Sequence, residues 1–187
     1  MNNKKEIKKK KKALKFINEN KGKIILDLGC RHQKVPGAIG VDMDPDADVD
    51  VIHDFDNFPY PFEDNYADKI FATHIIEHLE QPGEFLKEIY RILKPGGQVF
   101  IATPHFTSYT AYCEHTHKAY YSYFMFRNLL AETGSKFQVK KCEVTFYKSF
   151  RRAGISYLAN KFPENYERFW AYIFPAENIE ILLEKPF

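Results

Sequence analysis

Cysteine is scarce in this chain, and long apolar runs are missing altogether. The three cysteines, Cys30, Cys113 and Cys142, are far apart and odd in number, and none is spaced as Cys-x-x-Cys. This excludes a disulfide framework and a zinc ribbon and predicts reduced thiols. No stretch of about 18 apolar residues occurs, so no membrane span is expected. The segment "ALKFINENKGK" is too polar for the apolar middle of a signal peptide. These absences favour a soluble cytoplasmic protein with no membrane partner.

The chain also lacks the glycine run of a dinucleotide-binding loop. That loop has the pattern G-x-G-x-x-G, in which two glycines let the backbone approach a pyrophosphate. The corresponding run here is "GCRHQK", with one glycine, and Pro36–Gly37 prevents a long helix from following it. Only 13 positions separate Gly29 from Asp42, too few for a crossover helix and a strand. A pyrophosphate site is therefore poorly supported, and an NAD-dependent oxidoreductase is disfavoured.

Charge is divided unevenly between the amino-terminal segment and the rest of the chain. Residues 1–23 hold ten lysines and two glutamates, whereas the remainder holds 17 basic and 23 acidic residues. Such a lysine run is typical of an arm that binds nucleic acid. The simpler interpretation is an amphipathic first helix over residues 1–21 with solvated lysines. We favour it, because the acidic remainder would repel a phosphate backbone.

Strand-like and helix-like segments alternate along the chain. Apolar runs bounded by turn residues predict strands near 24–28, 37–42, 47–54, 68–73 and 98–104. A helix over 82–94, ending at Lys94–Gly97, is predicted by the spacing of Phe85, Leu86, Ile89, Ile92 and Leu93. A second helix near 121–133 precedes two alternating segments, 137–147 and 177–185, that are typical of an antiparallel pair. The order predicts one α/β domain over 1–187 with a mostly parallel sheet.

The end of the second predicted strand indicates which nucleotide this shortened turn can hold. In an open parallel sheet, ligands bind beyond the carboxyl ends of the strands. There Gly29 lacks the Cβ that would block approach, and Asp42 can accept hydrogen bonds from both hydroxyls of a ribose. S-adenosylmethionine has a ribose and an adenine but no phosphate. The short turn therefore favours this sulfonium cofactor.

The chain resembles the class I S-adenosylmethionine-dependent methyltransferases, especially the methyltransferase type 11 group. The motifs that carry the resemblance lie between about residues 22 and 104, in "ILDLGC", "IGVDMDP", "HDFDNFPYPFEDNYADKIFATHIIEHL" and "EIYRILKPGGQVFIATP". Each motif is weak alone, but the order and spacing of five together are specific. The resemblance implies a Rossmann-like seven-stranded methyltransferase sheet with an antiparallel last strand and a shortened first crossover. The chain departs from the family at Arg31, which replaces the second glycine of Asp-x-Gly-x-Gly.

The resemblance also implies which side chains contact the cofactor. They lie at four strand ends: Asp27, Gly29 and Cys30 at the methionine end, Asp42 at the ribose, Met43, Asp54 and Phe55 at the adenine, and Ala72, Thr73 and His74 over the sulfonium. Arg31 is expected either to narrow the methionine pocket or to place a positive group beside its carboxylate. For Phe55 and His74 a purely structural role is an equal alternative.

Histidines outside these motifs raise the question of catalysis and metal binding. The pair Glu77–His78 is compatible with a metal site, but in this family it commonly structures a helix start, and we favour that role. The loop 104–119 contains His105, His115 and His117, of which His105 and His117 are the candidates for a catalytic base or for groups that position the acceptor. Their spacing with Cys113 matches no zinc pattern. No metal is predicted.

The aromatic insertion 148–176 is the predicted substrate cover. In it Tyr166, Phe169, Trp170 and Ile173 fall on one helical stripe, which is more typical of core packing than of a ligand pocket. An aromatic cover suits a small-molecule acceptor, which is the favoured substrate. Two alternatives stay open. One is an RNA or protein methyltransferase that uses the lysine-rich arm. The other is a non-catalytic cofactor-binding protein of the same fold, an alternative supported by Arg31 in place of the motif glycine.

Overall fold

A seven-stranded sheet organises the structure, a computed structural model that describes residues 19–47 and 49–187. The strands are β1 Ile25–Leu28, β2 Ile39–Asp42, β3 Val51–Ile52, β4 Ala67–Thr73, β5 Leu93–Pro104, β6 Gln138–Val144 and β7 Asn178–Glu184. All seven overlap segments that the sequence predicts as strands. The lysine-rich helix predicted over 1–21 lies almost wholly outside the described residues.

The strand order confirms the predicted fold class. The sheet runs β3-β2-β1-β4-β5-β7-β6. Strands β1 to β5 pair in parallel, whereas β7 is antiparallel to both of its neighbours, β5 and β6. The chain therefore leaves β1 in one direction for β2 and β3, and returns to the other side of β1 for β4 and β5. This reversal opens a crevice at the carboxyl ends of β1 and β4, where open α/β sheets bind ligands.

The first crossover is short, as predicted. Residues 29–38 connect β1 to β2 through turns, with no helix. The register places Asp27 opposite Gly40 and Leu28 opposite Val41. The Gly29 N–H donates to the Val41 carbonyl at 2.8 Å, so the loop stays close to the sheet from its first residue. The backbone of residues 29–35 is thereby held above the strand ends.

Helix α1, Pro82–Ile92, buries the apolar face that its sequence spacing predicts. Phe85, Leu86, Ile89 and Ile92 are fully buried, and each contributes on the order of 1.5–3 kcal/mol by leaving water. The predicted end of this helix at Lys94–Gly97 is wrong by two residues. Leu93 pairs with Ala67 in the sheet and opens β5, so tertiary pairing ends the helix after Ile92.

Helix α2, Tyr123–Glu132, lies within the predicted segment 121–133 and starts at Ser122, whose hydroxyl accepts from the Met125 N–H at 3.1 Å. The insertion then folds as short helical segments: α3 Lys148–Arg152, α4 Ile155–Lys161, a turn at Pro163–Asn165 and a π-helical segment Tyr166–Trp170. It forms its own small core around Phe146, Ala159 and Tyr166. None of the helices in the described part of the chain combines the length and apolar character of a membrane span.

The predicted aromatic stripe of the insertion is wrong for three of its four residues. Tyr166 is buried, but Phe169, Trp170 and Ile173 are each more than half exposed. The Ala171 N–H donates to the Tyr166 carbonyl, a hydrogen bond that spans five residues rather than four. This π-turn reduces the angle between successive side chains, so residues three apart no longer share a face.

Candidate active site

A crevice of about 430 Å³ opens at the carboxyl ends of β1, β2, β3 and β4. Seven of the eleven residues predicted to contact the cofactor line it: Gly29, Arg31, Asp42, Met43, Asp54, Phe55 and His74. Chain topology explains the convergence, because parallel strands end at the same edge of a sheet. The structure thus brings together residues from four separate sequence motifs.

Two buried aspartates hold the loop that forms one wall of the crevice. The Asp27 carboxylate accepts from the Val35 N–H at 2.7 Å, and Asp42 accepts from the Arg31 N–H at 2.9 Å. The second oxygen of Asp42 accepts from the Asp44 N–H at 3.1 Å. Asp27 is not among the residues that line this crevice or a second cavity next to it. Its side chain therefore supports the loop from the side of the sheet. Its burial raises the pKa of the carboxyl, a shift that the hydrogen bond from Val35 opposes.

Cys30 also lies behind the loop, away from the crevice lining. Its side chain is buried, and burial together with the nearby carboxyl groups of Asp27 and Asp42 raises the pKa of the thiol to about 11. The thiol is therefore protonated at neutral pH and is not a nucleophile. Neither Asp27 nor Cys30 is among the residues that line the two spaces, and their contact with the methionine end, implied by the resemblance, stays a prediction.

Unusual backbone conformations mark the crevice. Arg31 has φ 41° and His74 has φ 55°, and both residues line it. Residues other than glycine rarely adopt positive φ, and such positions concentrate at functional sites. Arg31 thus keeps the left-handed conformation that a glycine would favour at its place in the family motif. Its guanidinium points across to Glu114, 3.8 Å away, as an exposed ion pair.

A second cavity of about 280 Å³ adjoins the crevice. Gly29, Arg31, His74 and His78 line both spaces, so the two lie side by side. The remaining lining residues of the second cavity are Thr73, Glu77, Pro104, Thr110, Glu114 and His117. The strand-end residue Thr73 therefore belongs to the second cavity rather than to the crevice. The loop after β5 closes the side opposite the sheet.

Glu77 anchors a network beneath the second cavity. It lies in the 3₁₀ turn Ile76–His78, and its side chain is 2% exposed. One carboxylate oxygen accepts from the Thr103 hydroxyl at 2.9 Å, and the other accepts from the His74 Nδ1–H at 3.2 Å. The Glu77 carbonyl accepts from the Lys118 and Ala119 N–H groups, which ties the loop after β5 to the turn. The prediction that Glu77 structures this turn is consistent with these contacts.

The two histidines predicted to act in catalysis occupy different environments. His117 lines the second cavity, and its Nδ1–H donates to the Ala111 carbonyl at 2.8 Å. His105 is fully buried and lines neither space. The Thr107 N–H donates to Nδ1 of His105, so Nε2 carries the hydrogen and donates to Glu167 at 3.2 Å. Both ring nitrogens of His105 are thus engaged inside the protein, which corrects the prediction of a catalytic base there.

The insertion lies apart from both spaces. A third cavity of about 390 Å³ is lined only by insertion residues, among them Leu158, Phe162, Tyr166 and Trp170. No described residue of 148–176 lines the crevice or the second cavity. Its role as a substrate cover stays a prediction, and the loop 105–118 borders the second cavity instead.

Several crevice residues carry a weak signal in the sequence. Ile75, Leu79, Asp56, Thr116 and Lys118 also line the crevice. Ile75 and Leu79 flank the Glu-His pair, so their apolar character could have indicated a wall beside that pair. Asp56 accepts from the Glu80 N–H at 2.9 Å and lies 3.6 Å from the Lys118 ammonium. Asp56 is far from Glu80 and Lys118 in the sequence, so no local sequence pattern could have indicated these contacts.

Comparison with known proteins agrees with this geometry. The family model described as "Methyltransferase domain" matches residues 26–101. A ubiquinone biosynthesis O-methyltransferase of Caulobacter vibrioides is 47% identical over 36 residues, 19% of this chain and 14% of that protein. Phosphoethanolamine N-methyltransferase 2 of Caenorhabditis elegans is 41% identical over 46 residues, 25% of this chain and 10% of that protein. The matched segments are thus a small part of both relatives.

A solved structure extends the likeness to nearly the whole chain. A S-adenosylmethionine-dependent methyltransferase from Archaeoglobus fulgidus superposes with a TM-score of 0.64 at 21% identity, covering 94% of this chain and 92% of that one. The domain model matches the segment that holds most of the crevice residues, and the solved structure shares the fold of nearly the whole chain. The chain therefore contains a region similar to methyltransferase domains and has the fold of a S-adenosylmethionine-dependent methyltransferase.

The residues that line the crevice could hold S-adenosylmethionine. Asp42 is 6% exposed and sits at the crevice wall, where a carboxylate can accept from a ribose diol. Met43 is 63% exposed and Phe55, Ile75 and Leu79 add apolar surface, as an adenine ring requires. Phe55 itself packs against Tyr60 and Phe85, so most of its side chain serves the core. The donor set lacks a phosphate cradle, in keeping with a cofactor that has no phosphate.

Proposed function

We propose that this protein transfers a methyl group from S-adenosylmethionine to a small-molecule acceptor held in the second cavity. The observation that carries the proposal is that Gly29, Arg31, His74 and His78 line both spaces, which are therefore adjacent. A cofactor in the crevice and an acceptor in the second cavity would meet beside these residues. Alignment of this kind supplies a large part of the rate enhancement in a displacement reaction.

The cofactor supplies an activated methyl group. The acceptor's lone pair forms a bond to the methyl carbon while the carbon–sulfur bond breaks, its electron pair stays on sulfur, and the acceptor's proton passes to a base or to water. The side chains of this chain have the other tasks. Asp42 holds the ribose, Gly29 leaves room for the methionine end, and the loop 105–118 excludes water from the second cavity.

The size and charge of the site support a small acceptor over a polymer. The second cavity is bordered by the loop after β5, and its volume of about 280 Å³ suits a metabolite better than a strand of RNA. Asp42, Asp54 and Asp56 line the crevice, and Lys118 there is already paired with Asp56 and Glu80. This acidic surface would repel a polyphosphate chain. The two curated relatives also carry names of enzymes that act on small molecules.

Titration calorimetry with S-adenosylmethionine and with S-adenosylhomocysteine tests the cofactor site. Asp42→Ala should lose about 1.5–3 kcal/mol of binding free energy for both ligands, because a charge-assisted hydrogen bond to the ribose is removed. Asp50→Ala is the matched control. The Asp50 carboxylate also accepts from a backbone N–H, that of Gly40 at 2.7 Å, but it lies outside the crevice lining. Unchanged affinity in Asp42→Ala, or an equal loss in the control, would contradict the assignment.

The acceptor can be found directly. Extracts incubated with the protein and methyl-deuterated S-adenosylmethionine should give one labelled small molecule by mass spectrometry. Labelled RNA or labelled protein in place of a metabolite would overturn the acceptor class. Cofactor binding without any labelled product would instead favour the non-catalytic alternative.

A further inference from the structure

Three potential metal ligands converge at the floor of the second cavity. Glu77, His78 and His117 each offer one ligand atom, and these atoms lie within 4.8 Å of one another. Glu77 and His78 come from the turn after β4, and His117 comes from the loop after β5. All three line the same cavity. The fold thus joins residues that are 39 positions apart, which no local spacing pattern reveals.

The hydrogen bonds around the two imidazoles leave the same nitrogen free on each ring. His117 Nδ1 lies 2.8 Å from the Ala111 carbonyl, and His78 Nδ1 lies 3.3 Å from the Thr116 carbonyl. A carbonyl only accepts, so Nδ1 carries the hydrogen in both rings and Nε2 keeps its lone pair. The rings meet edge to face with centroids 4.7 Å apart. Metal-binding histidines characteristically donate their second N–H to a carbonyl or carboxylate in this way.

The glutamate supplies a second, independent observation. Its side chain is 2% exposed and reaches the cavity, yet its two oxygens accept from a neutral hydroxyl, Thr103, and from an imidazole, His74. Burial of a carboxylate costs several kcal/mol unless a positive charge or a metal compensates it. A divalent cation beside Glu77 would provide that compensation.

We infer that Glu77, His78 and His117 bind a divalent transition metal of the zinc class, with open coordination positions facing the second cavity. Two imidazoles and one carboxylate are the donor set of zinc and of non-haem iron, whereas magnesium and calcium prefer oxygen ligands alone. The site differs from the sequence interpretation, which gave Glu77–His78 a structural role. It also gives His117 Nε2 a ligand role in place of that of a base.

The metal would select the acceptor, and this part of the inference rests on the proposed function. An ion on the floor of the second cavity can bind an oxygen of the acceptor and favour loss of its hydroxyl proton to solvent, as zinc does for water. The acceptor class is then a molecule with a hydroxyl or carboxylate oxygen near the methylated atom. Binding of that oxygen would place the acceptor beside Gly29 and His74, where the two spaces meet.

Zinc binding by the untagged full chain tests the site without any assay of activity. The protein is stripped with a chelator, and zinc is titrated in competition with a chromogenic chelator; cobalt substitution then reports the ligand field by visible absorption. We expect one tight equivalent and the cobalt bands of a low-coordinate nitrogen–oxygen site. His117→Ala should weaken zinc binding at least about 100-fold, since loss of even an outer hydrogen bond costs 10- to 100-fold.

Two further variants separate ligation from folding. His117→Asn can still donate to the Ala111 carbonyl and should preserve the loop while losing the same zinc affinity. His115→Ala removes an exposed histidine of the same loop, outside the cluster, and should bind zinc like the parent. Circular dichroism checks that each variant is folded. Zinc affinity unchanged in His117→Asn, or no stoichiometric zinc in the parent, overturns the metal site.

Cofactor titration of the same samples distinguishes this inference from the proposed function. A protein that binds S-adenosylmethionine but no zinc would retain the proposed function and lose the metal site. A protein that binds zinc through His117 but does not bind the cofactor would retain the metal site and lose the proposed function.

Discussion

The aspartates at the ends of β1 and β2 illustrate what a single residue does in this fold. Their identity and position could be predicted from the sequence, because a carboxylate after a buried strand is unusual unless it binds something. The structure adds that both hold the loop 29–35, through Val35 and through Arg31. We propose that Asp42 combines two tasks, since a carboxylate with four lone-pair positions can bind backbone N–H groups and still accept from a ribose. For Asp27 the structure shows the first task, the hydrogen bond from the loop.

Arg31 is the residue at which the chain departs from the methyltransferase motif that it resembles, and its backbone conformation yields a prediction. Arg31→Gly should raise the free energy of unfolding by up to about 1 kcal/mol, because a left-handed conformation costs a side-chain-bearing residue about 1–2 kcal/mol and glycine's greater freedom when unfolded offsets part of the gain. The lost pair with Glu114 is exposed and adds little. Urea unfolding measures the difference.

Asn65 provides the control for Arg31. It also has positive φ, 57°, but lies outside the crevice lining, and asparagine tolerates this conformation better than arginine. Asn65→Gly should therefore gain less stability than Arg31→Gly. A clear loss of stability in Arg31→Gly would show that its side chain contributes more than its backbone costs.

At the level of elements, the contact between α1 and the segment 58–64 shapes the adenine side of the crevice. Arg91 donates to both oxygens of Glu88, through Nε at 2.9 Å and a terminal nitrogen at 2.7 Å, and to the Phe62 carbonyl at 2.8 Å. Glu88 also accepts from the Tyr60 N–H at 2.8 Å. Tyr60 packs on Phe55, a crevice residue, so this ion pair supports the crevice wall from behind.

Glu88→Gln should lower the free energy of unfolding by about 1.5–3 kcal/mol at pH 7, the usual cost of losing a hydrogen bond to a charged group. Burial alone raises the pKa of Glu88, but hydrogen bonds from Arg91 and from the Tyr60 N–H outweigh it and lower the pKa below its ordinary value of 4.5. A carboxyl with a depressed folded pKa stabilises the protein above its unfolded pKa, and the contribution disappears as the pH falls through the folded value.

The difference in the free energy of unfolding between the parent and Glu88→Gln should accordingly be constant from pH 8 to about 5.5. It should become smaller below about pH 4.5. Urea unfolding across this range measures it. Glu84→Gln, which breaks an exposed pair with Lys87 on the same helix, should change stability by less than about 0.5 kcal/mol. A difference that widens on acidification would contradict the assignment.

Elements with a strong periodic signal were predictable, and their ends were not. The buried face of α1 follows from local spacing, and the short strands β1 and β2 follow from apolar runs between turn residues. The end of α1 depends on Leu93 pairing with Ala67, a contact 26 positions away. The prediction of a buried aromatic stripe was wrong because a π-turn at Tyr166 changes the number of residues per helical turn that the prediction assumed.

For the whole molecule, the residues of the crevice were predictable, and the position of the loop that borders the second cavity was not. The crevice residues follow strands whose order is set by the fold class, so the motifs place them. The second cavity depends on where the loop 105–118 lies against the turn at Glu77, which long-range hydrogen bonds from Lys118 and Ala119 decide. The sequence gives no reason to assign His105 and His117 different roles. Only the folded structure shows that His105 is buried and that His117 faces a cavity.

The buried hydrogen bond between His105 and Glu167 joins the end of the sheet to the insertion. It provides a test of the distinction between a buried His105 and a His117 that faces a cavity. Glu167 accepts from His105 Nε2 and from the Tyr123 N–H, so it connects β5, α2 and the π-helical segment. Glu167→Ala should lower the free energy of unfolding by about 1.5–3 kcal/mol, because two buried donors lose a charged acceptor. Calorimetric affinity for S-adenosylmethionine should stay the same, since none of these residues lines the crevice.

Glu164→Ala serves as the control for this link, because it breaks only an exposed pair with Arg168 in the same segment. Its effect on stability should be below about 0.5 kcal/mol. The two variants together measure what the buried histidine does. If Glu167→Ala were as stable as the parent, the link would not hold the insertion. If cofactor affinity fell together with stability, His105 would be coupled to the crevice after all, and its place outside the active site would have to be abandoned.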